Sequence, residues 1–233
     1  MKYFIGLLII LMAFSCNNTK RGSGNIIKET RTVNSFNGIA ASGSVKVDVR
    51  IGDAASVIAE TDDNIMPFVE TKVSNGILKI KLKDINNLRN STVYVHIITP
   101  EIKSLTTSAS AEITSDEILK TSDKLVLKAS SGSSINVKID APTVSSDASS
   151  GAEITGEGKT RDVISNSSSG ATINFSLLQA ENAKAAVSSG AQTSLFASIS
   201  LVAKASSGGG IDYKGGATSI QKNVSSGGSV NAQ

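Results

Sequence analysis

The 233-residue sequence has one cysteine, one histidine, no tryptophan and only three prolines. A single cysteine excludes a disulfide framework within the chain, and the lack of histidine and cysteine clusters argues against a transition-metal site. Aromatic residues make up only 4% and the basic residues are scattered, so nothing indicates a nucleic-acid partner. No apolar run reaches eighteen residues, which excludes a typical membrane-spanning helix. We therefore expect no metal, no other cofactor and no nucleic acid.

The N-terminus predicts export. A positive Met1-Lys2 precedes an apolar run over residues 4–14, which is too short to span a bilayer. Cys16 follows Ala13-Phe14-Ser15, and Ala13 and Ser15 are similar to the small residues of a bacterial lipoprotein signal, whereas Phe14 fits less well. An ordinary secretory signal beside an incidental cysteine is the alternative, but lipidation would explain a lone thiol in an exported protein.

These features divide the chain into a signal peptide over residues 1–15, a lipidated Cys16 with a polar tether over 16–24, and a folded body over 25–233. Loss of Lys2 with the signal lowers the formal charge from +3 to +2. The predicted location is the cell envelope, with a lipid anchor in the outer membrane as the membrane partner. The sequence leaves open whether the body faces the periplasm or the exterior.

The tripeptide Ser-Ser-Gly recurs six times in the second half of the chain, at intervals of 18 to 20 residues. Its glycines are Gly132, Gly151, Gly170, Gly190, Gly208 and Gly227. A fixed period near twenty is typical of a solenoid in which each repeat stacks on its neighbour. Such a repeat is too short for a βαβ unit but suits one coil of a parallel β-helix. A leucine-rich repeat has a similar length, but its signature is absent.

Alignment of the repeats on their glycines predicts which side chains face inward. Mostly apolar residues lie three and five positions after the glycine and seven before it, and they alternate with polar ones. The predicted inward columns are Ile135, Ile154, Ile173, Thr193, Ile211 and Val230, then Val137, Gly156, Phe175, Leu195, Tyr213 and Ala232, then Leu125, Val144, Val163, Ala183, Leu201 and Ile220. Each repeat is predicted to be strand, serine corner, strand and a loop such as residues 140–143.

The first half shows the same alternation with a weaker period, at residues 45–51, 78–82 and 93–97. Asp62-Asp63-Asn64 predicts the cap of a short helical turn, and Asn75-Gly76 predicts a tight turn. Less regular coils are expected between about residues 36 and 118, before the regular coils of 115–233. The predicted fold class is an all-β, single-stranded parallel β-helix (β-solenoid) with coils of about 19 residues.

A family resemblance is carried by Gly22 to Ile26, by Pro100 to Leu105 and by the serine-glycine corners. Further matching positions are Glu29, Arg31, Val33, Phe36, Ile39, Gly43, Val47 and Gly52. Over nearly the whole mature chain, these residues resemble the head, or GIN, domain family of auto-transporter adhesins of Bacteroidetes. The resemblance implies an exported, often lipidated, β-helix-like protein. It supplies no catalytic residue to carry over.

An enzyme is the main competing hypothesis, because many β-helices cleave polysaccharides with clustered carboxylates. The outward column here is short and polar, and Asp212 is its only acidic member: Asn136, Thr155, Asn174, Ser194, Asp212 and Asn231. His96, the one histidine, is predicted to be a solvated strand residue. We therefore predict no catalytic residues and a non-enzymatic, lipid-anchored envelope protein with an adhesin-like or structural binding role. A carbohydrate-binding or carbohydrate-active β-helix is the alternative.

Three surfaces are candidates for a partner. The stripe of Lys79, Lys81 and Lys83 is a candidate contact for anionic lipid or glycan, or a solvated face. The polar outward column is a candidate sugar site, or a ladder that supports stacking. Gln233 lies six residues after Gly227, so the last coil lacks an evident cap and is a candidate for self-association or for a glycan or protein ligand.

Overall fold

The computed structural model describes residues 18–85 and 87–233, so the predicted signal peptide and Cys16 lie outside the described residues. The described residues form twenty β-strands and one 3-10 helix, Met66–Phe68. The strands are β1 (Thr19–Arg21), β2 (Ile26–Thr30), β3 (Gly38–Ser42), β4 (Val45–Ile51), β5 (Ser56–Asp62), β6 (Val69–Ser74), β7 (Ile77–Leu82), β8 (Asn87–Arg89), β9 (Val93–Thr99), β10 (Ser104–Ser108), β11 (Glu112–Lys120), β12 (Lys124–Ser130), β13 (Ser134–Ser149), β14 (Glu153–Ser167), β15 (Thr172–Val187), β16 (Gln192–Phe196), β17 (Ser200–Ala205), β18 (Gly210–Lys214), β19 (Ser219–Val224) and β20 (Ser229–Ala232).

Parallel strands stack into two columns that face each other across the core. Stack A contains the strands that lead into the serine corners, in the order β7, β3, β10, β12, the second halves of β13, β14 and β15, then β17 and β19. Stack B contains the strands that leave the corners, in the order β9, β4, β11, the first halves of β13, β14 and β15, then β16, β18 and β20. The result is a β-solenoid of about 6 turns, which confirms the predicted fold class.

The inward columns predicted from the repeat form the core. Ile154, Phe175 and Leu201 are each 0% exposed, and their neighbours in the same columns are buried with them up to the last coil. Phe175 is the largest fully buried side chain, and its ring fills the space over Gly156, where a Cβ would lie 2.8 Å from it. Burial of the Phe175 ring therefore depends on the absence of a side chain at Gly156 in the neighbouring coil.

The Ser-Ser-Gly corner is a turn in which two successive residues have positive φ. In one corner, Ser150 and Gly151 have φ of 53° and 70°, and the amide of Ala152 donates to the carbonyl of Ser149. Corners also bond to one another, since the amide of Gly132 donates to Ser150 and that of Gly151 donates to Ser169. The repeat thus provides a turn and an axial hydrogen-bond ladder, and the prediction of a corner is confirmed.

The second bend of the coil differs from the prediction. The expected loop at residues 140–143 is wrong, because β13 continues through it and pairs with β14 from Ser134 to Ala148. Strands β14 and β15 likewise bend without interruption. Pairing on both sides satisfies the backbone groups through the bend, so no loop is needed.

The early coils do not stack in chain order. The coil made of β3 and β4 lies between the coil of β7 and β9 and the coil of β10 and β11. Beyond β7 and β9, the antiparallel strands β6, β5 and β2 cover the end of the stack. This antiparallel layer pairs the strand edges that a bare solenoid would expose.

The predicted helical turn forms at Met66–Phe68, but no side chain caps it. Instead, the side chains of Asp62 and Asp63 bind the segment that enters the body. Asp62 Oδ1 accepts from the amide of Gly24 at 2.6 Å, and Asp63 Oδ1 accepts from Ser23 Oγ at 2.5 Å. The hydroxyl of Ser91 and the Gly24 amide stabilise the buried Asp62 carboxylate and hold its pKa below its usual range.

The segment predicted to be a tether is attached to the body from Thr19 onwards. Strand β1 pairs with β8, and the amide of Gly22 donates to the carbonyl of Arg89 at 3.0 Å. The Asn75-Gly76 turn is confirmed, with both residues at positive φ between β6 and β7. Across residues 18–85 and 87–233, none of the helical structure has the length and apolar character of a membrane span.

Candidate functional site

A groove runs along the solenoid axis where stack A meets the serine corners. It has a volume of about 720 Å³ and extends from Thr106 on β10 to Ser225 after β19. Seven strand layers at about 4.8 Å each give it a length of roughly 30 Å. Small buried residues such as Ala129, Ala148 and Ala205 form its floor. The groove is therefore long and crosses seven strand layers.

One wall of the groove is a row of serine side chains, with one serine in each coil. Strand register aligns the first serine of every Ser-Ser-Gly corner with serines of the earlier coils. This serine row is Ser42, Ser108, Ser130, Ser149, Ser168, Ser188, Ser206 and Ser225, and its members from Ser130 onwards line the groove. Within the described residues, none of these eight hydroxyl groups has a hydrogen-bond partner. The row therefore presents solvent-accessible hydroxyl donors and acceptors, one in each coil.

The other wall is part of a second row, which lines the groove from Thr106 onwards and contains lysines without a carboxylate partner. Register places these side chains on one outward row, the lysine row: Lys72, Lys79, Ala40, Thr106, Lys128, Asp147, Asn166, Ala186, Lys204 and Asn223. Among the described residues, no carboxylate oxygen lies within 4.0 Å of the ammonium group of any of its four lysines. Its one carboxylate, Asp147, accepts instead from the Asn166 amide at 2.8 Å.

Several lysines of stack B and of the antiparallel layer that covers its end are paired with glutamates. Lys28 lies 3.0 Å from Glu60, Lys46 lies 3.1 Å from Glu112, and a similar pair joins Lys138 to Glu157 at 3.5 Å. A hydrogen bond from Lys28 lowers the pKa of Glu60, and a hydrogen bond to Glu112 raises the pKa of Lys46. Lys120 on β11 and Lys214 on β18 have no carboxylate partner among the described residues, so stack B also has unpaired positive charge. In the groove, the unpaired lysines are Lys128 and Lys204.

The three lysines of the stripe expected from the sequence, Lys79, Lys81 and Lys83, have different surroundings. Lys79 belongs to the lysine row, directly opposite Lys72 on the neighbouring strand. Lys81 is 3.7 Å from Glu70 and lies at the head of the serine row, while Lys83 follows the end of β7. Like charges placed directly opposite are unfavourable, so the Lys72 and Lys79 pair carries a small cost in the absence of an anion.

The polar outward column and His96 lie on the other face. Asn136, Asn174 and the rest of that column point outward on stack B, and its last members bond to each other, Asn231 to Asp212 at 3.3 Å. His96 is partly exposed, stacks on Tyr94 and lies 3.2 Å from Glu60. Among the described residues, no group of three or more histidine, cysteine, aspartate or glutamate side chains has a geometry that could hold a metal ion.

Sequence reasoning missed the lysine row. Lys128 and Lys204 are 76 positions apart in sequence, and three coils with other residues in the row separate them. The aligned repeats contained a signal, since Lys128, Asp147, Asn166 and Lys204 all lie four residues before a corner glycine. The upstream members could not be placed, because their coils stack out of chain order.

The last coil ends with a charge at a core position. Lys222 is in register with the buried Ala203 and lies between Ile220 and Val224, which are 42% and 48% exposed. Its ammonium group is 4.7 Å from the centre of the Tyr213 ring and donates to the carbonyl of Val230 at 3.3 Å. Lys222 therefore covers part of the open end, and an inward charge also discourages strand pairing there.

Fold and surface together define a class: a β-solenoid that presents a long groove lined by serines, lysines and small apolar residues. The chain belongs to the family described as "Putative auto-transporter adhesin, head GIN domain", whose model matches residues 35–217. This confirms the resemblance found in the sequence. No curated protein matches the chain.

Several solved structures share the fold. A "putative adhesin" of Bacteroides fragilis has a TM-score of 0.83 and 16% identity, covering 92% of this chain and 100% of its own. A "putative lipid binding protein" of Parabacteroides distasonis has a TM-score of 0.73 and 21% identity, covering 92% and 99%. A "putative adhesin" of Parabacteroides merdae has a TM-score of 0.71 and 16% identity, covering 93% and 99%. At these identities the likeness establishes the fold alone.

Proposed function

We propose that this protein is a non-enzymatic, adhesin-like binding protein of the cell envelope, anchored by lipid on Cys16. The observation that supports a binding role is the groove, in which unpaired lysines face a row of unpaired serine hydroxyls. Solvent-accessible hydroxyl groups repeated in every coil suit a ligand that contacts many coils at once. Family membership supports a surface role of the same kind.

The alternative is a carbohydrate-binding or carbohydrate-active β-helix. The free hydroxyl row favours the binding form of this alternative, since hydroxyl groups exchange hydrogen bonds readily with sugars. The active form needs an acid and a base across one bond. In the groove, the single carboxylate of the lysine row is Asp147, and it is held by Asn166.

A bead assay tests the binding role. We expect beads coated with the purified full chain to bind intact bacterial or host cells several-fold more than beads coated with albumin. The same samples should release no reducing sugar from added glycans. Failure to bind any cell surface contradicts the adhesin-like role, and steady release of sugar contradicts the non-enzymatic part of the proposal.

We also propose that a second copy docks on the last coil, β19–β20, and that Lys222 keeps this association weak. The free strand edges and the exposed Ile220 and Val224 provide the contact, while Lys222 makes its burial unfavourable. Lys222→Leu is expected to strengthen dimer formation roughly tenfold, because it replaces a desolvated charge by an apolar side chain. Sedimentation velocity over a concentration series measures the change.

Lys184→Leu is the control, because it makes the same change on the outward side of stack A. It is expected to leave the association constant unchanged. If the original chain and Lys222→Leu are both strictly monomeric at high concentration, the second-copy proposal fails.

A further inference from the structure

We infer that the groove binds a linear acidic polysaccharide whose chain runs parallel to the solenoid axis. This inference rests on the proposed binding function and specifies its ligand. Three features of the groove carry it: two lysines without a carboxylate partner, a course across seven strand layers, and one solvent-accessible hydroxyl in each coil.

Charge selects the acidic class. Lys128 and Lys204 line the groove and have no carboxylate partner among the described residues, and Lys79 continues their row beyond the end of the groove. Lys46 and Lys138 on stack B are instead paired with glutamates. Side chains that lack a partner on the protein are available to carboxylate or sulfate groups of a ligand. Asp147 is the one carboxylate in the row, so a ligand unit without an acidic group fits best beside it.

Shape and spacing favour a polysaccharide over other anionic partners. The coils repeat about every 4.8 Å, which is similar to the advance of one sugar unit in an extended polysaccharide. Successive sugars would therefore meet equivalent serines, such as Ser149, Ser168 and Ser188. An extended peptide repeats its side chains on one face at a longer interval, and an acyl chain has no polar groups for the hydroxyls.

Recognition in this groove would be polar and sensitive to salt. The lining contains no aromatic side chain to stack on a sugar ring. Binding would depend on hydrogen bonds and exposed ionic contacts, which are individually weak and are screened by salt. Affinity must come from contacts repeated over several coils, so long oligomers should bind far better than short ones.

Biolayer interferometry with the immobilised full chain tests the inference, with polygalacturonate as the acidic probe and a cello-oligosaccharide as the neutral one. We expect polygalacturonate to bind at low salt and to dissociate as salt is added, while the neutral oligomer binds at least tenfold more weakly. Equal affinity for both probes would overturn the acidic class. Vesicles containing phosphatidylglycerol form a third arm. Binding of the vesicles without binding of polygalacturonate would show that the lysines bind anionic lipid, and it would overturn the inference.

Matched variants locate the site. Loss of one exposed ionic contact weakens binding by roughly two- to fivefold, so a triple variant with Lys79→Gln, Lys128→Gln and Lys204→Gln should weaken it at least tenfold. The control triple variant, Lys28→Gln, Lys46→Gln and Lys138→Gln, removes the same net charge from stack B and the antiparallel layer. Its affinity should stay within about twofold of the original, since its lysines lie away from the groove. Equal losses in the two triple variants would show attraction by net charge and contradict a groove site.

Two single variants make the test independent of lysine loss. Asp147→Asn removes the only carboxylate of the lysine row and should tighten binding about two- to fivefold. Ser168→Leu places bulk in the middle of the groove without changing charge and should weaken binding. Circular dichroism checks that each variant is folded.

If the beads bind cells but polygalacturonate does not bind the chain, the inference fails and the adhesin-like role stands. If polygalacturonate binds but the beads do not, the groove assignment stands and the adhesin-like role fails.

Discussion

Gly158→Ala is expected to destabilise the solenoid by roughly 3–5 kcal/mol, which would remove much of the stability of a typical domain. Gly158 has φ of +118°, and a Cβ at this position would lie 2.1 Å from the carbonyl oxygen of Ile139 in the preceding coil. The clash is with backbone, which cannot rotate away. Either the pairing of β13 with β14 opens or the bend of the coil changes, and both lose hydrogen bonds that hold the stack together.

Gly151→Ala is the matched control, because it adds the same methyl group to the same strand pair. Gly151 also has positive φ, +70°, but no atom lies within 4 Å of a Cβ placed there. The substitution loses only the ease with which glycine adopts positive φ, so we expect the free energy of unfolding to fall by about 1 kcal/mol. Urea denaturation of both variants provides the comparison through the midpoint at an unchanged m value. Similar midpoints would show that the close approach of the coils at Gly158 is not needed.

Gly215 has the same combination of positive φ and close backbone contact as Gly158. Its φ is +111°, and a Cβ there would lie 2.2 Å from the carbonyl oxygen of Ala197. Gly158 and Gly215 each lie seven residues after a corner glycine, so they occupy equivalent positions in two coils. Only two of the five repeats that have a residue at this position share the glycine, so alternation and period alone did not predict its importance.

The repeat was sufficient to predict the core of the regular coils. A strict period aligns residues such as Ile135, Ile154 and Ile173, and alternation decides which of their neighbours are buried. The first half could not be predicted to the same depth. Alternation in β3 and β4 shows which side chains face inward, but it contains no information about which strand lies next to them. The insertion of this coil between later ones depends on tertiary pairing.

The candidate site was predictable only in part, for a related reason. Serines at the corners were expected, yet their hydroxyls are free only because the corners bond through backbone groups instead. Lys79 was noticed on its own strand, whereas its alignment with Lys128 requires the out-of-order coil that contains Ala40. A surface formed by residues from many coils becomes visible only once the stacking order is known.

Cys16→Ser is expected to move the protein from the membrane fraction to the soluble fraction of the envelope. The change replaces one atom and leaves the apolar run of residues 4–14 intact, so export should continue. Acyl chains on Cys16 would each contribute about 0.8 kcal/mol per buried methylene group, and more than one chain is needed for stable anchoring. Removal of the thiol removes all of that contribution at once, which predicts near-complete release.

A lipid on Cys16 would hold the body close to the membrane, because β1 already begins at Thr19, within the segment predicted to be a tether. Three residues from Cys16 to Thr19 span at most roughly 10 Å, and Lys20 and Arg21 follow at once on β1. These charges would lie near anionic headgroups and could retain some protein without lipid. Fractionation should therefore include a high-salt wash, which removes protein held by charge but not protein held by acyl chains. Asn17→Ser is the control and should remain in the membrane fraction after the wash, whereas retention of Cys16→Ser under the same conditions would contradict the lipid anchor.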